Sequence, residues 1–272
     1  MDNLVKCPHC GQEVLEEALE RHIKYVCSEA NKQVKFKCQA SDLALAIKEV
    51  RMAAITNNRG FTDRPILHGI YFEASAGQIT LTASDGCTLA TVSIPGEVAQ
   101  EGTGLVTAKG LKVPKKGEVD VRINSSDCLI VSKDGQATYP ILLGDFPNYR
   151  KVIPEEKDMM VSVLILSKEF LDAIKTIKLE DVNNALRIYT TDDGLKFVTK
   201  DEEGATKEWQ FKAMIEGEGK IAVNHKYLTD IAKVCGAFTL QWAEPPIKEL
   251  PMPMRVATDR GIHVIMPLNV EL

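Results

Sequence analysis

The sequence predicts an α+β protein in which two similar βαβββ units follow a small zinc finger. Three observations lead to this. A cluster of cysteines and histidines occupies the first thirty or so residues. From Val34 onward, apolar residues alternate between strand and helix spacing in the same order twice over. Between the two runs lies Gly144-Asp145-Phe146-Pro147-Asn148-Tyr149-Arg150-Lys151-Val152-Ile153-Pro154, whose prolines fix φ and remove donors. It reads as an extended connector. The division expected is 1–32, 33–154 and 155–272.

Composition narrows the class. The 272 residues are 44% hydrophobic and 26% charged, as in an ordinary soluble protein. No apolar run approaches the roughly 18 residues of a membrane span, and the N-terminus lacks a secretory pattern. A cytoplasmic protein with no membrane partner is expected. A net charge of -5 argues against a surface that binds nucleic acid everywhere, but leaves room for a locally basic groove. Seven cysteines is an odd number, and the four outside the N-terminal cluster are scattered. That fits a reduced compartment with one metal site better than a disulfide framework.

The cluster runs Cys7-x2-Cys10-x11-His22-x4-Cys27. Val14, Leu15, Ala18, Leu19, His22, Ile23 and Val26 recur at helical spacing, which puts His22 on the buried stripe of a short helix. Two thiolates on a tight turn, an imidazole and a trailing thiolate match one tetrahedral Zn2+, closed and therefore structural. The competing reading is a core histidine beside unligated thiols, but so short a segment has little else to fold it. His9 sits inside the turn and points away in this reading. Lys6, Arg21, Lys24, Lys32, Lys35 and Lys37 suit phosphate, whereas Glu13, Glu16, Glu17 and Glu20 load the helix with the opposite sign. Protein and nucleic acid both stay open as what the finger touches.

In the first half, Val34–Cys38 alternates as a strand, and Ser41 caps a helix through about Ala54 with Leu43, Ile47 and Val50 on one face. Strands follow at 66–74, 78–83 and 87–94. In the second half, Met160–Ile165 is a strand, and Ser167 caps a helix bearing Phe170, Leu171, Ile174 and Ile177. A hairpin then turns at Asp192-Asp193-Gly194. Each half holds a second helix candidate, Asn224–Cys235 and the shorter Thr107–Val113, which Gly110 and Pro114 interrupt. This order suggests an internal duplication.

Arg64-Pro65-Ile66-Leu67-His68-Gly69-Ile70-Tyr71-Phe72-Glu73, Thr82-Ala83-Ser84-Asp85-Gly86-Cys87-Thr88-Leu89-Ala90 and Asp145–Pro154 resemble the second domain of the bacterial beta sliding clamp. Val223-Asn224-His225-Lys226-Tyr227-Leu228 and His263-Val264-Ile265-Met266-Pro267-Leu268 resemble its third. The resemblance covers about residues 34–272. It departs from the family in two ways: the finger stands where a first domain would be, and the second helix of the first half is shortened.

The resemblance implies two tandem DNA-clamp domains with helices inside and sheets outside, in a ring of six domains around duplex DNA. Two-domain chains would need three copies, as a head-to-tail homotrimer. Helices lining a hole need basic residues, and Lys48, Arg51, Lys109, Lys112, Lys175, Lys178, Lys226 and Lys233 lie on or beside the four helix candidates. Such contacts are independent of base sequence. The resemblance also places a pocket for peptide motifs of a DNA polymerase and a clamp loader on Ser84, Gly86, Thr88, Leu89, Pro147, Lys151, Val152, Val264, Met266, Pro267 and Leu268. Where the family has His-Arg, this chain has Cys87-Thr88. With no phosphate loop or nucleophile elbow in the sequence, an enzyme is not expected. The alternative is a zinc-finger adaptor or transcription regulator on a clamp fold that does not encircle DNA.

Overall fold

The computed structural model describes residues 3–8, 11–25, 34–55, 64–177, 184–201, 203–243 and 252–270, with only the backbone for 23–25. Cα proximity divides the chain into two compact units. The first comprises 1–47, 54–82 and 93–146, and the second 48–53, 83–92 and 147–272. No described helix is long and apolar enough to cross a membrane.

The N-terminal segment opens on a hairpin of β1 (Leu4–Lys6) and β2 (Glu13–Leu15), with Val5 opposite Val14. Cys7 N donates to Gln12 O (2.8 Å) and Gly11 N to Cys7 O (2.9 Å), and Gly11 takes the left-handed φ of 73° that this turn requires. After a 3-10 turn comes α1 (Leu19–Tyr25). The helix therefore starts later than the apolar spacing predicts. Val14 and Leu15 belong to a strand, because pairing with Val5 and Leu4 satisfies their backbone first.

From there the chain runs through β3 (Val34–Gln39), α2 (Ala40–Val50), β4 (Gly69–Ser75), β5 (Gln78–Ser84) and β6 (Thr88–Pro95). It continues through β7 (Glu97–Gln100), β8 (Gly102–Thr107), β9 (Glu118–Ile123), β10 (Asp127–Ser132) and β11 (Gly135–Pro140). Val34, Phe36 and Cys38 of β3 and Leu43, Ala46, Ile47 and Val50 of α2 are buried, at periods of two and about 3.6. In the first unit β11-β10-β9-β3-β7 form one sheet, and β4 pairs with both β5 and β8.

The second half comprises β12 (Val161–Leu166), α3 (Ser167–Ile177), β13 (Ala185–Thr191), β14 (Gly194–Lys200) and β15 (Thr206–Lys212). Then come β16 (Ile215–Glu216), β17 (Lys220–Asn224), α4 (His225–Ala232), β18 (Ala237–Trp242), β19 (Met254–Ala257) and β20 (Gly261–Ile265). Strand order is β15-β14-β13-β17 in one sheet, and β16-β12-β18-β19-β20-β6 where Thr88–Val92 joins the second unit. Phe170 of α3 meets Phe197 and Phe238 edge-on at 5.9 and 5.6 Å, with Leu240 and Trp242 in the same core.

Two further expectations are corrected. The helix at Thr107–Val113 does not form: β8 ends at Thr107, and residues 108–117 are turns and coil. Gly110 takes φ 78°, Pro114 lacks a donor, and Tyr139 Oη donates to Lys112 O (2.6 Å), which fixes the segment as a loop. The connector is not extended throughout, since Tyr149–Val152 makes a 3-10 turn around buried Tyr149. Just before it, Phe146 stacks on Tyr71 with centroids 4.9 Å apart.

Candidate functional site

Eight of the eleven residues expected to hold a peptide lie on one turn, one strand pair and the segment that follows it, within the second unit. Asp85 builds the turn. Its Oδ1 accepts from Cys87 N (2.8 Å) and Thr88 N (2.7 Å). Ser84 Oγ donates to Thr88 O (2.7 Å) and accepts from Gly86 N (3.1 Å). Gly86 has φ 92°, a region where a side chain would be strained. From α4, Tyr227 Oη donates to Asp85 Oδ2 (3.1 Å), and burial together with the Asp85 charge raises the phenol pKa. The Cys87 thiol is also raised, by burial and then by Asp85, so little reactive thiolate forms there.

Past the turn, Leu89 opposes Val264 and Thr88 opposes Ile265. Thr88 Oγ1 donates to Val264 O (2.9 Å), Met266 N to Cys87 O (2.9 Å) and Leu268 N to Ala222 O (2.8 Å). Ser84, Gly86, Thr88 and Leu89 are thereby held beside Val264, Met266, Pro267 and Leu268. Thr88, Leu89 and Val264 are buried, whereas Met266 is 46% exposed. Lys151 and Val152 are exposed on the 3-10 turn of the same unit, with Val152 at 51%, and Pro147 is exposed just before it. Arg150 lies over the Tyr149 ring at 4.7 Å and steadies that turn. Asp85 and Tyr227 escaped the sequence reading. Ser-Asp-Gly is itself a turn signal that could have found Asp85, but no local pattern pairs it with a tyrosine 142 residues on.

The basic residues are distributed unevenly. Lys48 is exposed on α2, and Arg51 is half-buried on the 3-10 turn after it. Lys226 is exposed in the first turn of α4. Lys175 pairs with Asp172 (3.6 Å) and Lys233 with Asp230 (2.8 Å) on their own helices. Exposed pairs of this kind contribute less than about 1 kcal/mol, so each lysine can exchange its partner for a phosphate at small cost. Lys109 and Lys112 stand on the 108–117 loop and not on a helix, next to exposed Lys115 and Lys116, which the sequence reading passed over. Lys178 lies outside the described residues.

A buried ionic cluster in the second unit was also missed. Glu49, with 0% exposure, accepts from Arg260 Nε (2.8 Å) and Thr258 Oγ1 (2.8 Å) and lies 3.0 Å from His263 Nε2. Burial pushes its carboxyl up, but hydrogen bonds from His263, Arg260 and Thr258 outweigh that and hold its pKa at about 2. The cluster ties the last turn of α2 to the β19–β20 hairpin.

For the expected metal site, Cys7 is buried at the start of the hairpin turn and His22 is buried on α1. Cys10 and Cys27 lie outside the described residues. A β-hairpin whose turn opens on a cysteine, followed by a helix carrying a histidine, suits a thiolate–imidazole donor set. The described residues contain no cluster of three or more metal-type ligands.

The fold is similar to that of solved DNA polymerase sliding clamps. The Pseudomonas aeruginosa sliding clamp bound to griselimycin aligns with a TM-score of 0.76 at 19% identity, covering 90% of this chain and 68% of that one. The Bacillus subtilis sliding clamp aligns at 0.76 and 21%, covering 87% and 64%. In sequence, the chain is similar to the beta sliding clamp of Treponema pallidum, 26% identical over 223 residues, or 76% of this chain and 59% of that protein. These similarities support the sliding-clamp (DNA polymerase III beta subunit) family. The chain spans about 59% of the length of that curated relative. No protein-family model matches it.

Proposed function

We propose that the chain is a non-enzymatic sliding clamp of the cytoplasm: a processivity factor that encircles duplex DNA and tethers a DNA polymerase and a clamp loader. The observation that carries this reading is the duplicated clamp fold over nearly the whole described chain. The domains are 33–154 and 155–272, and three chains joined head to tail supply six domains, helices inward and sheets outward. Lys48, Arg51, Lys175, Lys178, Lys226 and Lys233, with Lys109 and Lys112 on their loop, attract phosphates without reading bases. The Met266 and Val152 side chains receive apolar anchors of partner peptides, a flexible methionine suiting anchors of varied shape. Light scattering across micromolar concentrations tests the assembly. A mass of three chains is expected, and a stable single-chain mass contradicts the ring.

The finger binds one structural Zn2+ through Cys7, Cys10, His22 and Cys27. Metal supplies folding energy that so small a segment lacks, roughly 10 kcal/mol or more in isolated fingers. Cys7→Ser with Cys10→Ser is expected to abolish the one equivalent of zinc released to a chromogenic chelator while leaving the assembly mass unchanged. Undiminished zinc in that variant would refute the ligand set. A second reading, a zinc-finger adaptor or transcription regulator that does not encircle DNA, draws on the acid partners of Lys175 and Lys233. DNA binding governed by base sequence would favour it.

A further inference from the structure

Two adjoining rows on one face of a sheet differ in exposure, and the difference marks where another segment lies over it. Val163, Leu240, Val256 and Ile265 belong to the core of the second unit, so their neighbours along each strand face outward. One outward row runs Gln241, Arg255, Val264 and Leu89, each opposite the next. The adjoining row runs Leu164, Thr239, Ala257 and Ile262 in the same way. Gln241, Val264 and Leu89 are 4, 3 and 5% exposed, whereas Leu164 is 61% exposed and Thr239, Ala257 and Ile262 are half-buried. The first row is covered and the second is open.

Glu156 reaches onto the covered row from the 3-10 turn Glu156–Asp158, which follows the connector. Gln241 Nε2 donates to Glu156 Oε1 (3.2 Å), Arg255 Nη1 donates to Gln241 Oε1, and Arg255 Nη2 lies 3.9 Å from Glu156 Oε2. The Arg255 side chain is only 11% exposed, and a guanidinium in that setting requires acceptors and a counter-charge. Its planar fork meets the amide and the carboxylate together. Gln241, buried, has both ends of its amide occupied. Arg255 in turn stands opposite Val264, so the network is anchored in the strand pair of the expected peptide surface. Val152 lies four residues before Glu156, and a chain that long spans at most about 14 Å. Pro154 fixes one φ within it.

We propose that Arg255, Gln241 and Glu156 are positioning residues for the peptide surface. By fixing residues 155–158 on the sheet they hold Lys151 and Val152 near Val264 and Met266, ready for one peptide. This rests on the peptide-binding reading above and adds what keeps its two parts in place. All of these residues belong to the second unit. Tyr149 buries the start of the connector turn, and the Glu156 network restrains the chain beyond it. A turn restrained at both ends loses little conformational freedom when a ligand settles on it, which is how preorganisation raises affinity. None of the three residues needs to touch the peptide.

A double-mutant cycle tests this. Glu156→Lys sets a second cation against Arg255 from an exposed position, which releases the turn and leaves the core alone. Affinity for a short fluorescent peptide bearing Leu and Phe, read by anisotropy, is expected to fall about three- to tenfold. With Lys151→Glu and Val152→Asp already present, the same change is expected to weaken binding less than about twofold, because no apolar contact remains there to be positioned. An equal loss in both backgrounds overturns the positioning role, and so does an unchanged affinity in Glu156→Lys alone; either result leaves the peptide surface standing. If Lys151→Glu with Val152→Asp itself leaves affinity unchanged, the turn is no part of that surface and the positioning role falls with it.

Discussion

Glu49→Ala is expected to destabilise the second unit by about 3–5 kcal/mol, because it leaves the Arg260 guanidinium and His263 without their shared buried carboxylate. The milder Glu49→Gln keeps the shape and removes only the charge. The carboxyl is held at about 2 against an ordinary 4.5, a shift equivalent to roughly 3 kcal/mol. A depressed acid stabilises the fold fully above its unfolded value and loses that contribution as pH falls through its folded value. The gap in urea stability between the wild-type protein and Glu49→Gln is therefore expected to be constant above pH 4.5 and to close towards pH 2. A gap unchanged between pH 7 and pH 2.5 would contradict the role assigned to this charge.

Lys151→Glu with Val152→Asp is expected to weaken peptide binding by about ten- to a hundredfold, or 1.4–2.7 kcal/mol. Val152 is half exposed on a turn whose buried residue is Tyr149, so the change removes an apolar contact without opening the core. Two added carboxylates also charge the surface proposed above to receive apolar anchors. Fluorescence anisotropy with a labelled peptide bearing such anchors measures the loss, and light scattering checks that assembly is spared. Unchanged affinity would remove the 147–152 turn from the peptide surface.

Periodicity found the parts whose cause is local. The buried stripes of α2 and α3 and the β13–β14 hairpin at Asp192-Asp193-Gly194 follow from spacing and turn chemistry within a dozen residues. Gly110 and Pro114 already marked the weak helix candidate, and in the fold they prevail over its apolar spacing. The N-terminal helix was placed too early because a period alone does not reveal that Val5 competes for Val14. Glu49 was invisible for a different reason. Its partners lie more than 200 residues away, and in sequence it reads as one more charge near the end of an amphipathic helix. Lys175 and Lys233, by contrast, pair with Asp172 and Asp230 three residues back, a helical spacing already present in the sequence.

Closure around DNA is the central claim, and topology tests it most directly. Protein assembled on a nicked circular duplex is expected to stay bound through a high-salt wash and to be lost when a single cut linearises the circle, since a ring is held by threading and escapes over free ends. Sequence-independent phosphate contact alone would fade with salt on either substrate. Equal retention on the circular and linear forms would contradict encirclement.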